Sequence, residues 1–91
     1  MLSMDDKVQR NDRLPWRIIE GEAILVNIDA EEVIHLNEVA AETWRVMDGT
    51  RTVGEIIENI DDIFDAARPT IEKDVVEFIE QLIEKDAATV L

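Results

Sequence analysis

Catalysis needs several groups with matched roles in one place, and this sequence offers few. His35 is the only histidine, and there is no cysteine. Without cysteine there is no disulfide framework, no thiolate metal site and no cysteine nucleophile. A lone histidine on a strand reads as a rim residue rather than a catalyst. Asp61, Asp62 and Asp65 could supply oxygens to a cation. They lack the D-x-[DN]-x-[DN]-G pattern of a calcium loop and read as a solvated helix end. Gly21, Gly49 and Gly54 stand apart from one another, which suits turns and helix ends better than a phosphate cradle. The P-loop, G-x-G-x-x-G and G-x-S-x-G patterns do not occur. The expectation is a protein with no catalytic residues, no metal and no cofactor, whose work is binding.

The charge narrows what it could bind. Nine Lys plus Arg stand against 22 Asp plus Glu, a formal −13. Phosphate backbones are repelled by such a surface, so nucleic acid is not an expected partner. The plain reading is a well-solvated acidic surface, and the functional one is steering of a basic partner. No apolar run approaches a membrane span, and the charged start "MLSMDDKVQRNDR" is no signal peptide. The expected setting is cytoplasmic, away from membranes.

At 91 residues the chain should be one domain, and the elements that position any site can be placed along it. Residues 1–13 are polar and are expected to be a flexible N-terminal arm, ahead of a single domain over 14–91. "WRIIEGEAILVNI" reads as two strands joined by a tight turn at Glu20-Gly21. Ile24, Val26 and Ile28 alternate with Leu25 and Asn27, the period of a half-buried strand. "DAEE" is a turn, and Val33–Leu36, "VIHL", is a third strand lying at the edge of an antiparallel meander.

Helices follow almost without a loop. Asn37 is a fitting N-cap, and Val39, Ala40, Thr43, Trp44 and Met47 share one face. Gly49 is expected to end this helix. Thr52-Val53-Gly54-Glu55 is a capping box for a second helix, with Val53, Ile56, Ile57, Ile60, Ile63 and Phe64 as its stripe. "DAARPT" separates it from a third helix capped by Thr70 and running from Ile71 to Lys85. Ile71, Val75, Phe78, Ile79 and Leu82 face inward there, and Val76 and Ile83 widen the stripe enough to touch two things at once. "ATVL" adds a short strand or packs as a tail. The class is α+β: a three-stranded antiparallel sheet followed by three helices, winged helix-turn-helix-like. Trp44 is expected in the core, while Trp16 serves the core or anchors a ligand.

An edge strand offers a row of unpaired N–H and C=O groups to which an extended peptide can add. Here that edge is Val33–Leu36, with the third helix beside it. The alternative is an edge blunted by Glu31, Glu32 and its own shortness. An open edge also permits a homodimer.

The stretch "LVNIDAEEVIHLNEVAAETWRVMDGTRTVGEIIENI" resembles the signature of the PqqD family. Its parts are Leu36-Asn37, Val39-Ala40-Ala41, Trp44, Asp48-Gly49-Thr50 and Thr52-Val53-Gly54-Glu55-Ile56, followed by "EKDVVEFIEQLIEKD" with Asp74-Val75. The resemblance covers roughly residues 16–86. It departs from the family at Asp86-Ala87-Ala88, where a glycine is usual.

The resemblance implies a non-catalytic recognition element, a peptide chaperone of natural product biosynthesis. Such an element binds the leader of a ribosomally made precursor peptide. It presents that leader to a modifying enzyme, often a radical SAM enzyme. It further implies that the leader contacts Val33, Ile34, His35 and Leu36 on the strand side. On the helix side the implied contacts are Asp74, Val75, Phe78, Ile79 and Leu82. Two other readings compete: a winged-helix DNA-binding regulator and an acidic protein–protein adaptor. The first is opposed by its would-be recognition helix, which carries two lysines against five carboxylates.

Overall fold

The computed structural model describes residues 2–91. Its elements are β1 (Lys7–Arg10), β2 (Trp16–Ile19), β3 (Glu22–Asn27), β4 (Glu32–Leu36), α1 (Glu38–Val46), β5 (Asp48–Thr52), α2 (Val53–Ile63), α3 (Arg68–Glu84) and β6 (Ala88–Val90). The class is α+β with antiparallel strands and three helices. The strands, however, form two three-stranded sheets, ordered β2-β3-β4 and β5-β1-β6.

The first sheet is the expected meander. Glu20 and Gly21 both take positive φ (52° and 84°), the two-residue hairpin turn whose twist matches its flanking strands. The phase of β3 is opposite to a reading that buries Ile24, Val26 and Ile28. Ala23, Leu25 and Asn27 are the buried set, while Ile28 is exposed. An alternating strand with apolar residues on both faces does not declare which face is inner, and packing against α1 decides it. Asn27 can be buried because its side chain is used: Nδ2 donates to the Lys85 carbonyl and Oδ1 accepts from the Ala30 N–H.

The second sheet corrects the expectation of a flexible arm. Residues 7–10 are its central strand, paired with β5 on one side and β6 on the other. Val8, the one apolar residue of that strand, is 0% exposed. The Arg10 guanidinium donates to the Arg45 carbonyl at 2.9 Å, at the C-terminal end of α1 where positive charge is favoured. It also lies 5.2 Å from the ring centre of Trp16, and Trp16 meets the core Trp44 edge to face at 6.3 Å. Residues still nearer the start serve α2. The Val53 N–H donates to the Asp6 carbonyl and the Gly54 N–H to the Met4 carbonyl, satisfying first-turn groups that a helix leaves open. The segment is polar because its bonds are made by backbone and by Arg10, not by apolar area.

The helix starts follow the sequence at two places and depart from it at a third. Asn37 Oδ1 accepts from the Ala40 N–H, and both halves of the Thr52–Glu55 capping box form. Helix α3 starts at Arg68 rather than after Thr70, and its N-cap is Ala67, with no side-chain cap. Proline is harmless in the first turn, where its missing N–H has no partner to lose. Helix ends shift as well. Helix α1 stops at Val46, so Gly49 does not terminate it. Gly49 lies instead in β5 with φ +86°, where β5 bulges against β1. The positive φ is what calls for glycine; a Cβ there would also press on the flexible end of Gln9, with Oε1 at 3.0 Å. Of the expected stripe of α2, Ile63 is exposed, while Phe64, the C-cap, packs against the core.

The core lies between the two sheets and the helices. Its largest fully buried side chains include Trp44, Leu25, Met47, Ile56, Ile57, Ile60 and Ile79.

Candidate peptide-binding site

Among the described residues strand β4 pairs with β3 alone and has one free edge. Which of its groups face that edge follows from the ladder. The Val26 N–H donates to the Pro15 carbonyl, so Val26, Ile24 and Glu22 point their backbones toward β2. By alternation Ala23, Leu25 and Asn27 point theirs toward β4. Their register partners are Leu36, Ile34 and Glu32, whose backbone groups are therefore engaged. Val33 and His35 are left to turn their N–H and C=O groups to the open edge.

Side chains follow the same alternation. Val33 (56% exposed) and His35 project onto the outer face of the sheet. Ile34 and Leu36 turn inward, where Leu36 is buried and Ile34 half-buried.

Helix α3 runs beside this edge in the opposite direction. At one end Lys85 Nζ lies 3.0 Å from Glu32 Oε1. At the other, Asn37 shares a cleft of about 350 Å³ with Asp74, Val75, Glu77, Phe78 and Gln81 of α3 and with Val39, Ala40 and Thr43 of α1. Five strand residues and eleven helical ones each advance roughly 16 Å, so the length of β4 matches the stretch of α3 between these two points. The hydroxyl of Thr43 is used within α1, donating to the Val39 carbonyl at 2.8 Å. Asp74 and Glu77 make the rim acidic, and no cation lines the cleft.

Nine residues were expected to form the site, and the structure divides them. Val33, Ile34 and His35 lie along the edge. Asp74, Val75 and Phe78 line the cleft. Leu36, Ile79 and Leu82 are core residues. The cleft is also lined by Asn37, Val39, Ala40, Thr43, Glu77 and Gln81, which were not among the nine. A signal existed for α3: Asp74, Glu77, Phe78 and Gln81 recur at helical spacing on one flank of the buried stripe. None existed for α1, where small residues facing a cleft look like small residues facing a core.

The wall is held from behind. Glu42 Oε1 accepts from Arg45 Nε at 2.9 Å, and Asn59 of α2 donates to Glu42 Oε2 at 3.2 Å. The Arg45 guanidinium, aided by Asn59, holds the Glu42 carboxyl below its ordinary range against the opposing cost of burial. Arg68 links α2 to α3 through Glu58, Asp61 and Glu72.

Among the described residues no group of three or more His, Asp or Glu converges as metal ligands, and no helix is long and apolar enough to cross a membrane. His35 faces Ile24 and Glu22 on the outer sheet face rather than a set of reacting groups. The chemistry available is recognition: free backbone groups on one wall and an aromatic ring with carboxylates on the other.

Three comparisons bear on this arrangement. Residues 22–87 match the family model described as "Coenzyme PQQ synthesis protein D (PqqD)". A relative named "PqqA binding protein", from Stutzerimonas stutzeri (strain A1501), is 34% identical over 77 residues, covering 85% of this chain and 80% of its own. The same fold occurs in a solved structure, "TbiB1 in Complex with the TbiA(beta) Leader Peptide". It is 22% identical with a TM-score of 0.75, and the match covers 88% of this chain and 93% of that one.

Proposed function

Because the chain belongs to the PqqD family, we propose that it binds the leader of a ribosomally made precursor peptide as a strand added to β4 and presents it to a modifying enzyme. The family resemblance points to a radical SAM enzyme as that partner. The observation that carries the reading is the pair of outward-turned backbones at Val33 and His35, set beside the Phe78 cleft. Backbone pairing would supply affinity without regard to sequence, and the cleft would select an apolar side chain. The acidic rim of Asp74 and Glu77 favours a leader with a basic residue next to that side chain. The relative named for PqqA binding and the leader-bound neighbour support this assignment. Binding of this kind involves no turnover and no cofactor.

The test is calorimetry with a synthetic leader of the PqqA type, and with the same leader carrying proline at its centre. Proline removes a ladder donor, so binding should be lost. Equal affinity for both peptides would sink strand addition.

Electrostatics argue against the DNA-binding reading. Helix α3 carries Arg68 and Lys73 against Glu72, Asp74, Glu77, Glu80 and Glu84, and a basic surface is what phosphate contacts require.

A further inference from the structure

Helix α3 has a second unused flank. Its buried stripe is Ile71, Val75, Ile79 and Leu82. Phe78 lies on one side of that stripe and Ile83 on the other, about 140° apart at 3.6 residues per turn. On the Ile83 side, Glu80, Ile83 and Glu84 line a depression of about 400 Å³ together with Leu2 and Val90.

The strand beside it is also an open edge. Among the described residues strand β6 pairs with β1 alone. The Asn11 N–H donates to the Ala87 carbonyl and the Leu91 N–H to the Lys7 carbonyl. These pairs keep step with Gln9↔Thr89 in the register, so Ala88 and Val90 turn their N–H and C=O groups away from β1; Ala88 is buried and Val90 is the exposed one. Val90 shares a sheet face with the buried Val8, its register partner, and so leans toward Ile83. The two sides of α3 are thus built alike: an open strand edge, an apolar floor and a carboxylate rim.

We propose that the β6–α3 groove is a second docking site, for an extended segment of a partner protein that is apolar toward Ile83 and basic along its flanks. The apolar floor of Leu2, Ile83 and Val90 sets the inner face of that segment. Charge sets its flanks: Glu80 and Glu84 stand one turn apart on the rim, and no cation lines the groove. Lys85 is turned away to Glu32 on the opposite side of α3, and Arg68 is held by Glu58, Asp61 and Glu72. The nearest cation along that flank, Lys73, lies about two turns from Glu80. A second copy of this chain is a poor occupant, because a symmetric pairing would set Glu80 and Glu84 against their own counterparts on a chain of net charge −13. The groove is separate from the leader site and does not depend on it. One module could then hold a peptide on one flank of α3 and a protein on the other.

The experiment is a nuclear magnetic resonance titration of the 15N-labelled full chain with a short, end-blocked synthetic peptide of alternating valine and lysine. Saturable amide shifts are expected at Ile83, Ala88 and Val90, with Val33 and His35 unmoved. They should be lost in Val90→Pro, which removes an outward N–H and spares the ladder to β1, and in Glu80→Lys/Glu84→Lys. Shifts at Val33 and His35 instead, shifts that survive both variants, or no saturable shift would overturn the proposal. Dimerisation of the chain alone that Val90→Pro abolishes would assign the groove to a second copy and overturn it too. If the leader fails to bind β4 while the peptide shifts Ala88 and Val90, the first site falls and this one stands.

Discussion

Lys85 Nζ sits 3.0 Å from Glu32 Oε1 and 3.1 Å from Oε2, joining the cap of α3 to the start of the strand that faces it across the groove. Both side chains are more than two-fifths exposed, so the pair adds little to stability, about 1 kcal/mol or less. Its effect is on spacing: it fixes one end of the gap between β4 and α3. Lys85→Ala should leave the urea midpoint nearly unchanged. It should weaken leader binding about twofold, the consequence of losing roughly half a kcal/mol of alignment. The double swap Lys85→Glu/Glu32→Lys should recover most of that loss in calorimetry.

The alternation along β4 separates two proline substitutions one residue apart. His35→Pro removes an N–H that faces the open edge, where proline is tolerated, so the fold should survive while leader affinity is lost. Ile34→Pro removes an N–H used in the β3 ladder and should cost roughly 1–3 kcal/mol of stability. Urea unfolding and leader titration, run on both variants, check this. Full affinity in a folded His35→Pro variant would remove the leader from this edge.

Phe78 and Ile79 are chain neighbours with different tasks. Phe78→Ala opens the cleft and should weaken leader binding on the order of 2 kcal/mol, about thirtyfold in Kd, with a smaller loss of stability. Ile79→Ala should instead destabilise the fold by roughly 2–5 kcal/mol, with leader affinity near normal in the fraction that stays folded. The reverse pattern would place the cleft elsewhere on α3.

The Glu42 carboxyl gives the cleft wall a pH dependence. Its pKa in the fold is lowered, chiefly by the Arg45 hydrogen bond. A lowered carboxylate contributes stability above the ordinary glutamate range and loses it as pH falls through the lowered value. Glu42→Gln should therefore be less stable than the parent at neutral pH, by about 1 kcal/mol or less. The two stability curves should converge in acid, below the ordinary glutamate range. A constant difference across the titration would show that the charge is not what holds α1 to α2.

What could be read from the sequence was local. Asn37, the Thr52–Glu55 box and the Glu20-Gly21 turn each make their bond within three residues, so the pattern and its cause sit in the same few letters. Strand β1 could not be read that way. It offers one apolar residue, and its partners in β5 and β6 lie far along the chain, joined by backbone bonds that no side chain announces. Gly49 misled because one residue type serves both helix ends and bulges, and only the position of Gln9 tells them apart. The candidate cleft is only partly readable for a similar reason. An edge strand declares itself, but helical phase alone does not separate Phe78 in a cleft from Ile79 in the core.

The placement of β1 between β5 and β6 also sets an order of events in folding. The meander and the first two helices rely on contacts close in sequence and can form early. The second sheet cannot close until α3 has been made, because Val8 finds its partner only at Val90. Contacts so distant in sequence are slow to form, since the entropy of closing the loop comes before any reward. Until they form, the edge of β1 that β6 covers in the finished sheet stays open. Partly made chains thus carry exposed strands that the finished protein hides. Synthesis and early folding, more than the mature state, are where this small acidic module is most open to aggregation.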